Sequence, residues 1–196
     1  AGAVRAYIEH AVHGREPVTR WYYEGPMFRG ERPARGRYRQ FFQHGCEVLG
    51  DPGPLVDAEM IDMLVGMLRR LNIQDVEVLV NTLGGKGTKA RYRERLVAHL
   101  EPLKDSLSED SKRRLGQNPL RVLDSKSPKD QDAIASAPSI LDVVDDDDKK
   151  HFDTLCGYLD RLGVPYRIDP RLVRGLDYYT RTLFELRGSG GELGAQ

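Results

Sequence analysis

The chain of 196 residues lacks the features that mark a membrane protein or a disulfide-stabilised one. It has two cysteines, Cys46 and Cys156, which are far apart and have no pairing or metal-binding spacing. We therefore expect both to be buried thiols in a reducing compartment. No signal peptide is visible, and no apolar run approaches the roughly 20 residues that span a bilayer. These absences predict a cytoplasmic protein that does not enter a membrane.

A net charge is also absent, because 30 Lys and Arg residues balance 30 Asp and Glu residues. The neutral total does not indicate a nucleic-acid-binding protein. The charges are unevenly distributed, however. Residues 86–129 are rich in Lys and Arg, whereas residues 130–160 are rich in Asp. The sequence therefore joins a basic segment to an acidic one.

A phosphate-binding loop and a metal-binding cluster are missing as well. Gly84-Gly85-Lys86-Gly87-Thr88 has the composition of a phosphate loop, but its first glycine is too close to the lysine. We expect instead a turn that begins a helix, with Thr88 as its cap. His10 and His13 lie three apart in a predicted helix, but no third ligand accompanies them, so no metal site is predicted.

The most informative stretch is residues 21–50, which reads WYYEGPMFRGERPARGRYRQFFQHGCEVLG. Strand-like runs at 21–28 and 38–49 flank a loop rich in Gly, Pro and Arg, which predicts a long antiparallel hairpin. Side chains alternate between the faces of a strand, so Gln43 and Glu47 are expected on one face. The arginines suit a polyphosphate, because each guanidinium can grip oxygens in pairs.

The rest of the chain alternates between helical and strand-like patterns. A helix of about 15 residues should follow the turn at residues 51–54, with an apolar stripe widened by Met60, Met63 and Met67. The carboxylates of residues 145–148 suit a helix N-terminus. Further helices are predicted at 1–13, 89–103 and 107–115, and strands at 76–80 and 164–168.

Two motifs resemble the class II aminoacyl-tRNA synthetases, and in particular the histidyl-tRNA synthetase family. Phe28-Arg29-Gly30-Glu31, a loop, and Arg37-Tyr38-Arg39-Gln40-Phe41 resemble motif 2 of that class. Arg174-Gly175-Leu176-Asp177-Tyr178-Tyr179, followed by Thr-Arg-Thr and Phe-Glu, resembles the histidine-specific motif. Phe42 departs from the family pattern, which more often has His there. The resemblance extends over the whole chain, with the motifs in the family's order.

The resemblance implies an α+β fold, in which helices flank a six-stranded antiparallel sheet of the class II synthetase type. Residues 1–85 would form part of the catalytic core, residues 86–163 an all-helical insertion domain, and residues 164–196 the return to the core. Motif 1, motif 3 and the anticodon-binding domain have no counterpart here. We therefore expect an internal fragment of a homodimeric enzyme, and we expect this fragment alone to be inactive.

The resemblance also implies roles in forming histidyl-adenylate from L-histidine and ATP and in charging tRNA(His). Arg29 and Arg174 would be catalytic and would hold the α-phosphate and the histidine carboxylate from opposite sides. Histidine would further contact Gln43, Glu47, Tyr178 and Tyr179. ATP would further contact Glu31, Arg37 and Phe41, with Mg²⁺ bound mainly through the nucleotide. Contacts to tRNA are expected from Arg32, Arg35, Lys89, Arg91 and Arg95.

Two non-catalytic relatives remain as alternatives. One is a paralogue that regulates a phosphoribosyltransferase of histidine biosynthesis, and it usually lacks both the helical insertion and the arginine before Gly-Leu-Asp-Tyr-Tyr. The other is a synthetase-like module that senses uncharged tRNA. The four residues Arg29, Gln43, Glu47 and Arg174 are intact, which favours the catalytic interpretation. Its central geometric prediction is that the two arginines converge across a pocket floored by the Gln and the Glu.

Overall fold

A computed structural model describes residues 2–30, 32–34, 37–174 and 178–188. The chain divides into two compact units, residues 1–56 and residues 57–196. The first contains a helix and a hairpin, and the second is a layered arrangement of helices on a sheet. Within the described ranges, no helix is long and apolar enough to cross a membrane.

The first unit confirms the predicted hairpin. Helix α1 (Gly2–Glu9) precedes strands β1 (Thr19–Phe28) and β2 (Gln40–Leu49), which pair antiparallel along their full length. The helix predicted over residues 1–13 is shorter than expected. Ala11 interrupts it with a left-handed φ of 48°, and a 3₁₀ turn follows at Val12–Gly14.

The second unit is built on a sheet with the strand order β4–β3–β5. Strand β3 (Val76–Thr82) pairs in parallel with β4 (Tyr166–Ile168) and antiparallel with β5 (Thr182–Gly188). The described residues thus form a two-stranded antiparallel sheet and a three-stranded mixed sheet, together with helices, which confirms the predicted α+β class. The six-stranded antiparallel sheet stays an expectation for the intact enzyme. The parallel pair arises because the chain crosses from β3 to β4 through helices, as parallel strands require.

Helices cover both faces of this sheet. Successive residues of a strand point to opposite faces, and β3 carries apolar side chains on each of them. Helices α2 (Pro54–Arg70) and α6 (Asp146–Leu162) pack with Val78 and Val80 on one face. Helix α3 (Lys86–Leu100) packs with Leu79 and Leu83 on the other. Helices α4 (Glu109–Gln117) and α5 (Gln131–Ala135) complete the layer that begins with α3.

Residues 86–163 contain only helices and turns, as predicted, but they do not form a separate insertion domain. Tyr92 and Leu96 of α3 share a hydrophobic cluster with Leu79 and Leu183 of the sheet. Because the segment buries its apolar side chains against the strands, it belongs to the second compact unit. The expected insertion domain is therefore corrected to a helical layer. The assignment of residues 1–85 and 164–196 to a synthetase core stays a prediction.

Helix α2 shows why apolar periodicity overstates burial. Ile61 and Val65 are buried, but Met63 and Met67 are 44% and 37% exposed. A single stripe of the helix is enough to cover a three-stranded sheet, so Met63 and Met67 face outward, whereas Met60 is half-buried. The prediction that the methionines belong to the core is wrong for Met63 and Met67.

Candidate active site

The hairpin brings several predicted site residues onto one of its faces, which we call the site face. Side chains alternate along a strand, and the antiparallel register sets which residues oppose one another. Gln43 and Glu47 share the site face, as predicted. From the tip of the hairpin to its base, the cross-strand pairs on this face are Met27 with Phe41, Gly25 with Gln43, Tyr23 with Gly45, and Trp21 with Glu47.

Arg29 continues the site face just beyond β1, where its backbone N–H donates to the carbonyl of Arg39 at 2.8 Å. Its guanidinium carbon lies 3.8 Å from the centroid of the Phe41 ring, a cation–π contact that orients the guanidinium. The Nε atom is buried and has no hydrogen-bond partner among the described residues. A buried donor without a partner is costly, which favours an acceptor from a ligand. Phe41, predicted to stack on adenine, thus carries Arg29 on one face of its ring.

Glu47 is held by Tyr23, a residue that the sequence analysis missed. The Tyr23 hydroxyl donates to Oε1 of Glu47 at 3.2 Å. Burial, and then the charge of Glu47, raise the pKa of Tyr23, so the hydroxyl remains a donor. Gly45 makes the contact possible, because a Cβ atom there would lie 2.3 Å from the Tyr23 ring. Gly45, two residues before Glu47, could have indicated this contact from the sequence, but only once the strand register was known.

Gly25 leaves open space beside Gln43. Its φ of 150° lies in a region that favours glycine, and a Cβ atom built on it would meet nothing within 4 Å. Gln43 itself is exposed. A small ligand can therefore approach the hairpin backbone closely here, between Arg29 at one end of the site face and Glu47 at the other.

The loop between the strands presents arginines to solvent. Arg32 and Arg37 are exposed, and Arg37 forms an isolated β-bridge with Ala34 that narrows the loop. Glu31 and Arg35, for which adenine and tRNA contacts were predicted, lie outside the described residues. The roles of Arg32 and Arg37 stay predictions.

Arg174 is the predicted catalytic arginine of the second unit. Its Nη1 donates to Oε2 of Glu185 on β5 at 3.2 Å, and the Glu185 side chain is only 13% exposed. The other oxygen of Glu185 accepts from Nε of Arg187 at 2.9 Å. A carboxylate placed in this way sets the direction in which Arg174 points. The sequence analysis quoted Glu185 within the Phe-Glu pair but gave it no role.

Tyr178 and Tyr179 stack on each other, with ring centroids 4.6 Å apart and planes inclined by 27°. Tyr179 packs against the hydrophobic cluster around α3, whereas Tyr178 is 71% exposed. The pair is therefore anchored on one side and open on the other. Residues 175–177 of the same motif lie outside the described part of the chain.

The predicted site residues thus fall into two half-sites. Arg29, Gln43 and Glu47 belong to the first compact unit, and Arg174 belongs to the second together with the tyrosine pair. The convergence of Arg29 and Arg174 across one pocket stays a prediction.

Helix α3 carries three of the residues predicted to contact tRNA. Arg91 is engaged within the protein: its Nε and Nη2 donate to the carbonyl of Val143 at 3.2 and 3.1 Å, and Nη2 lies 3.5 Å from Oδ2 of Asp145. Lys89 is half-buried and Arg95 is exposed. Arg91 therefore joins α3 to the start of α6, and Arg95 is the better placed of the three for a phosphate contact.

Thiols and metal ligands add little to either half-site. Cys46 and Cys156 are free and half-buried, less buried than expected, and burial raises the pKa of Cys156 so that it stays a thiol. Across ranges 2–30, 32–34, 37–174 and 178–188, no group of three or more His, Cys, Asp or Glu side chains could hold a metal ion.

The chain is similar to a known protein family, to curated proteins and to solved structures. A family model for histidyl-tRNA synthetase matches residues 3–194. The histidine–tRNA ligase of Sorangium cellulosum is 63% identical over 196 residues, which cover 100% of this chain and 46% of that protein. The crystal structure of apo histidyl-tRNA synthetase from S. aureus has a TM-score of 0.72 at 38% identity, covering 94% of this chain and 43% of that one.

A more distant structure from Bacillus halodurans, described as an ATP phosphoribosyltransferase regulatory subunit/histidyl-tRNA synthetase, has a TM-score of 0.58. At 20% identity it covers 97% of this chain and 53% of that one, and it shows a shared fold alone. The helices on a mixed sheet and the curated relatives together place the chain among the aminoacyl-tRNA synthetases. Within that class, the chain belongs to the histidyl-tRNA synthetase family. It spans about half the length of the curated relatives that it matches.

Proposed function

We propose that the protein of which this chain is a part is a histidine–tRNA ligase. It would activate L-histidine with ATP to form histidyl-adenylate and then transfer the histidyl group to tRNA(His). The observation that carries the proposal is the site face, on which the buried, unpaired Nε of Arg29 accompanies Gln43 and Glu47. Relatives that bear this name at 63% and 47% identity support it.

Arg29 would act in the activation step. An oxygen of the histidine carboxylate bonds to the α-phosphorus of ATP, and the bond from that phosphorus to pyrophosphate breaks. Two anions approach each other in this step, so the site must supply positive charge where negative charge accumulates. The planar guanidinium can hold oxygens of both groups. Its contact with Phe41 orients it in advance, which reduces reorganisation during the reaction.

Glu47 and Gln43 would recognise histidine. With Oε1 of Glu47 accepting from Tyr23, the other oxygen can accept from the imidazole N–H. A side chain of similar shape without that donor would leave the carboxylate unpaired and would therefore be rejected. Gln43, beside the open surface at Gly25, would meet the α-amino group. Tyr178 and Tyr179 would line the imidazole pocket.

Arg174 would hold the α-phosphate and the histidine carboxylate from the side opposite Arg29. Glu185 supports this role because it engages one terminal nitrogen of Arg174 and leaves further donors of the guanidinium for anionic oxygens. Glu185 also accepts a hydrogen bond from Arg187. Its single negative charge is therefore shared between two arginines.

The remaining contacts with ATP would come from the hairpin loop. Glu31 would accept from the adenine amino group, Phe41 would stack on the base, and Arg37 would reach the outer phosphates. Mg²⁺ would be bound mainly through the nucleotide. Mg²⁺ commonly binds through substrate phosphates together with one or two carboxylates, which supports this role for the nucleotide.

The acceptor arm of tRNA(His) would contact the hairpin loop and helix α3, at Arg32, Arg35, Lys89, Arg91 and Arg95. Arg91 would contribute least, because it already donates to the carbonyl of Val143. Contacts with phosphates would weaken steeply as the salt concentration rises. The intact enzyme would be a cytoplasmic homodimer. The chain alone, which spans about half the length of its relatives, would not aminoacylate.

Histidine-dependent exchange of labelled pyrophosphate into ATP tests the proposal on the full-length parent protein. We expect exchange only in the presence of histidine, followed by charging of tRNA(His). Histidine binding without exchange would favour the regulatory paralogue, and binding of uncharged tRNA without exchange would favour the tRNA-sensing module. The isolated chain should give no exchange, and robust exchange would refute the expectation that it is inactive.

A further inference from the structure

Arg181 has an unusual backbone conformation just before β5. Its φ of 54° lies in the left-handed region, which residues with a Cβ atom rarely adopt. Two backbone hydrogen bonds hold it there: its N–H donates to the carbonyl of Gly84 at 2.9 Å, and its carbonyl accepts from the N–H of Leu83 at 2.7 Å. Such a conformation persists only where the surrounding structure imposes it.

The side chain of Arg181 is held by Asp148, near the start of α6. Nε of Arg181 lies 3.4 Å from Oδ1 of Asp148, whose side chain is 4% exposed. The other oxygen, Oδ2, accepts from the backbone N–H of Gly85 at 2.6 Å and from the hydroxyl of Thr88 at 2.7 Å. Asp148 thus connects α6, the start of α3 and the start of β5. We call Gly84, Gly85, Thr88, Asp148 and Arg181 the Asp148 junction.

The Asp148 junction leaves little freedom to its carboxylate. A Cβ atom at Gly84 would lie 2.5 Å from Cγ2 of Thr88 and 2.6 Å from Oδ2 of Asp148, so a larger residue would displace both. The carboxylate also lies in the first turn of α6 and beside Gly85, the N-cap of α3, where helix dipoles favour negative charge. Both carboxylate oxygens are therefore occupied by partners from separate elements.

The tyrosine pair lies immediately before this junction in the chain. Arg181 follows Tyr179 by two residues, and β5 begins at Thr182, the next residue. A displacement of Arg181 would therefore move the end of the segment from which Tyr178 and Tyr179 project. We propose that Asp148 is a positioning residue for histidine binding, because through Arg181 it sets where the tyrosine pair joins the sheet. The proposal rests on the proposed function, in which these tyrosines line the imidazole pocket.

Asp130 provides a matched control within the same unit. It is fully buried, and it accepts from the backbone N–H and hydroxyl of Ser108, both at 2.7 Å, and from the hydroxyl of Ser111 at 2.6 Å. Like Asp148, it stabilises the start of a helix, in this case α4. None of these partners belongs to β5 or to the tyrosine segment.

The experiment compares Asp148→Asn with Asp130→Asn in the full-length parent enzyme. Both substitutions remove a buried carboxylate charge, so we expect both to lower the melting temperature. Only Asp148→Asn should raise the KM for histidine in pyrophosphate exchange, by about tenfold, while the KM for ATP changes by less than about twofold. A role limited to stability would give the two variants the same kinetics.

Arg181→Gly separates positioning from folding. Glycine suits the left-handed backbone, so this variant should remain folded although it loses the ion pair with Asp148. We expect it, too, to raise the KM for histidine. Wild-type KM values for histidine in a folded Arg181→Gly enzyme would overturn the proposal, as would an equal rise in Asp130→Asn. Absence of histidine-dependent exchange in the wild-type enzyme would instead refute the proposed function, so the two failures are distinguishable.

Discussion

The two compact units hold their predicted site residues by different means. In the hairpin, strand register aligns Gln43 and Glu47, and no described residue of unit 1–56 belongs to either buried hydrophobic cluster. In the second unit, Arg174 and the tyrosine pair depend on carboxylates brought in from elsewhere, Glu185 and Asp148. We therefore expect changes on the site face to affect chemistry with little loss of stability. Changes at Glu185 or Asp148 in the second unit should affect both, because these carboxylates hold residues of the site as well as the fold.

Arg29→Ala should have the largest effect and tests the hairpin side of this comparison. Loss of a preorganised donor at developing charge costs about 10²–10³-fold in kcat, and we expect a loss of that order in pyrophosphate exchange by the parent enzyme. Thermal unfolding should change little, because Arg29 lies outside the buried clusters. Arg20→Ala, on the opposite face of β1, is the control and should retain activity. A fully active Arg29→Ala enzyme would break the comparison.

Asp130→Asn should cause the largest loss of stability in the second unit. Burial acts to raise the pKa of Asp130, but hydrogen bonds from Ser108, Ser111 and Ser125 outweigh it and lower the pKa to about 2. An Asp in the unfolded chain has a pKa of about 4. Because the folded chain has the lower pKa, the carboxylate stabilises the fold above about pH 4, and this contribution is lost as the pH falls through the folded-state value.

Urea unfolding of the wild type and Asp130→Asn across this pH range checks that sign. At neutral pH the free energies of unfolding should differ by about 1–3 kcal/mol in favour of the wild type. The difference should shrink as the pH falls through the folded-state pKa of about 2. A difference that stays constant with pH would show that the charge of Asp130 contributes nothing.

Glu185→Gln should lower the rate of exchange by about tenfold, since Arg174 would keep a hydrogen-bond partner but lose the charge that orients it. Glu77→Gln is the control on the same sheet. Glu77 accepts from Nε and Nη2 of Arg167 at 2.7 and 3.3 Å, but both side chains are 49% exposed, and exposed ion pairs contribute little. Equal rates for the two variants would argue that Glu185 does not orient Arg174.

Gly45→Ala should have the smallest effect and sharpens the comparison within the hairpin. The added methyl group would displace the Tyr23 ring, and Glu47 would lose its donor. We expect the KM for histidine to rise by about two- to fivefold. Gly66→Ala in α2 is the control, because its Cβ atom would meet nothing within 4 Å. It should raise stability by roughly 0.5–1 kcal/mol and leave the kinetics unchanged.

Features governed by neighbours in sequence were predicted well. The hairpin is confirmed, and so is the acidic start of α6, where the side chain of Asp145 accepts from the N–H of Asp148 at 2.9 Å. The N-cap of α3, in contrast, was predicted wrongly. The helix begins at Lys86 with Gly85 as N-cap, and Thr88 is buried inside the first turn. The hydroxyl of Thr88 donates to Asp148, 60 residues further along the chain, and a partner so distant cannot be read from the local pattern.

The sequence by itself determined the hairpin, the approximate positions of the longer helices along the chain, and which of its residues share a strand face. These follow from side-chain periods of about 2 in strands and 3.6 in helices, which act over a few neighbouring residues. Only the tertiary structure decided that Tyr23 reaches Glu47 across Gly45, that Glu185 directs Arg174, and that Asp148 holds Arg181. Each of these contacts joins separate elements, and it forms only because strand register and helix packing bring distant residues together.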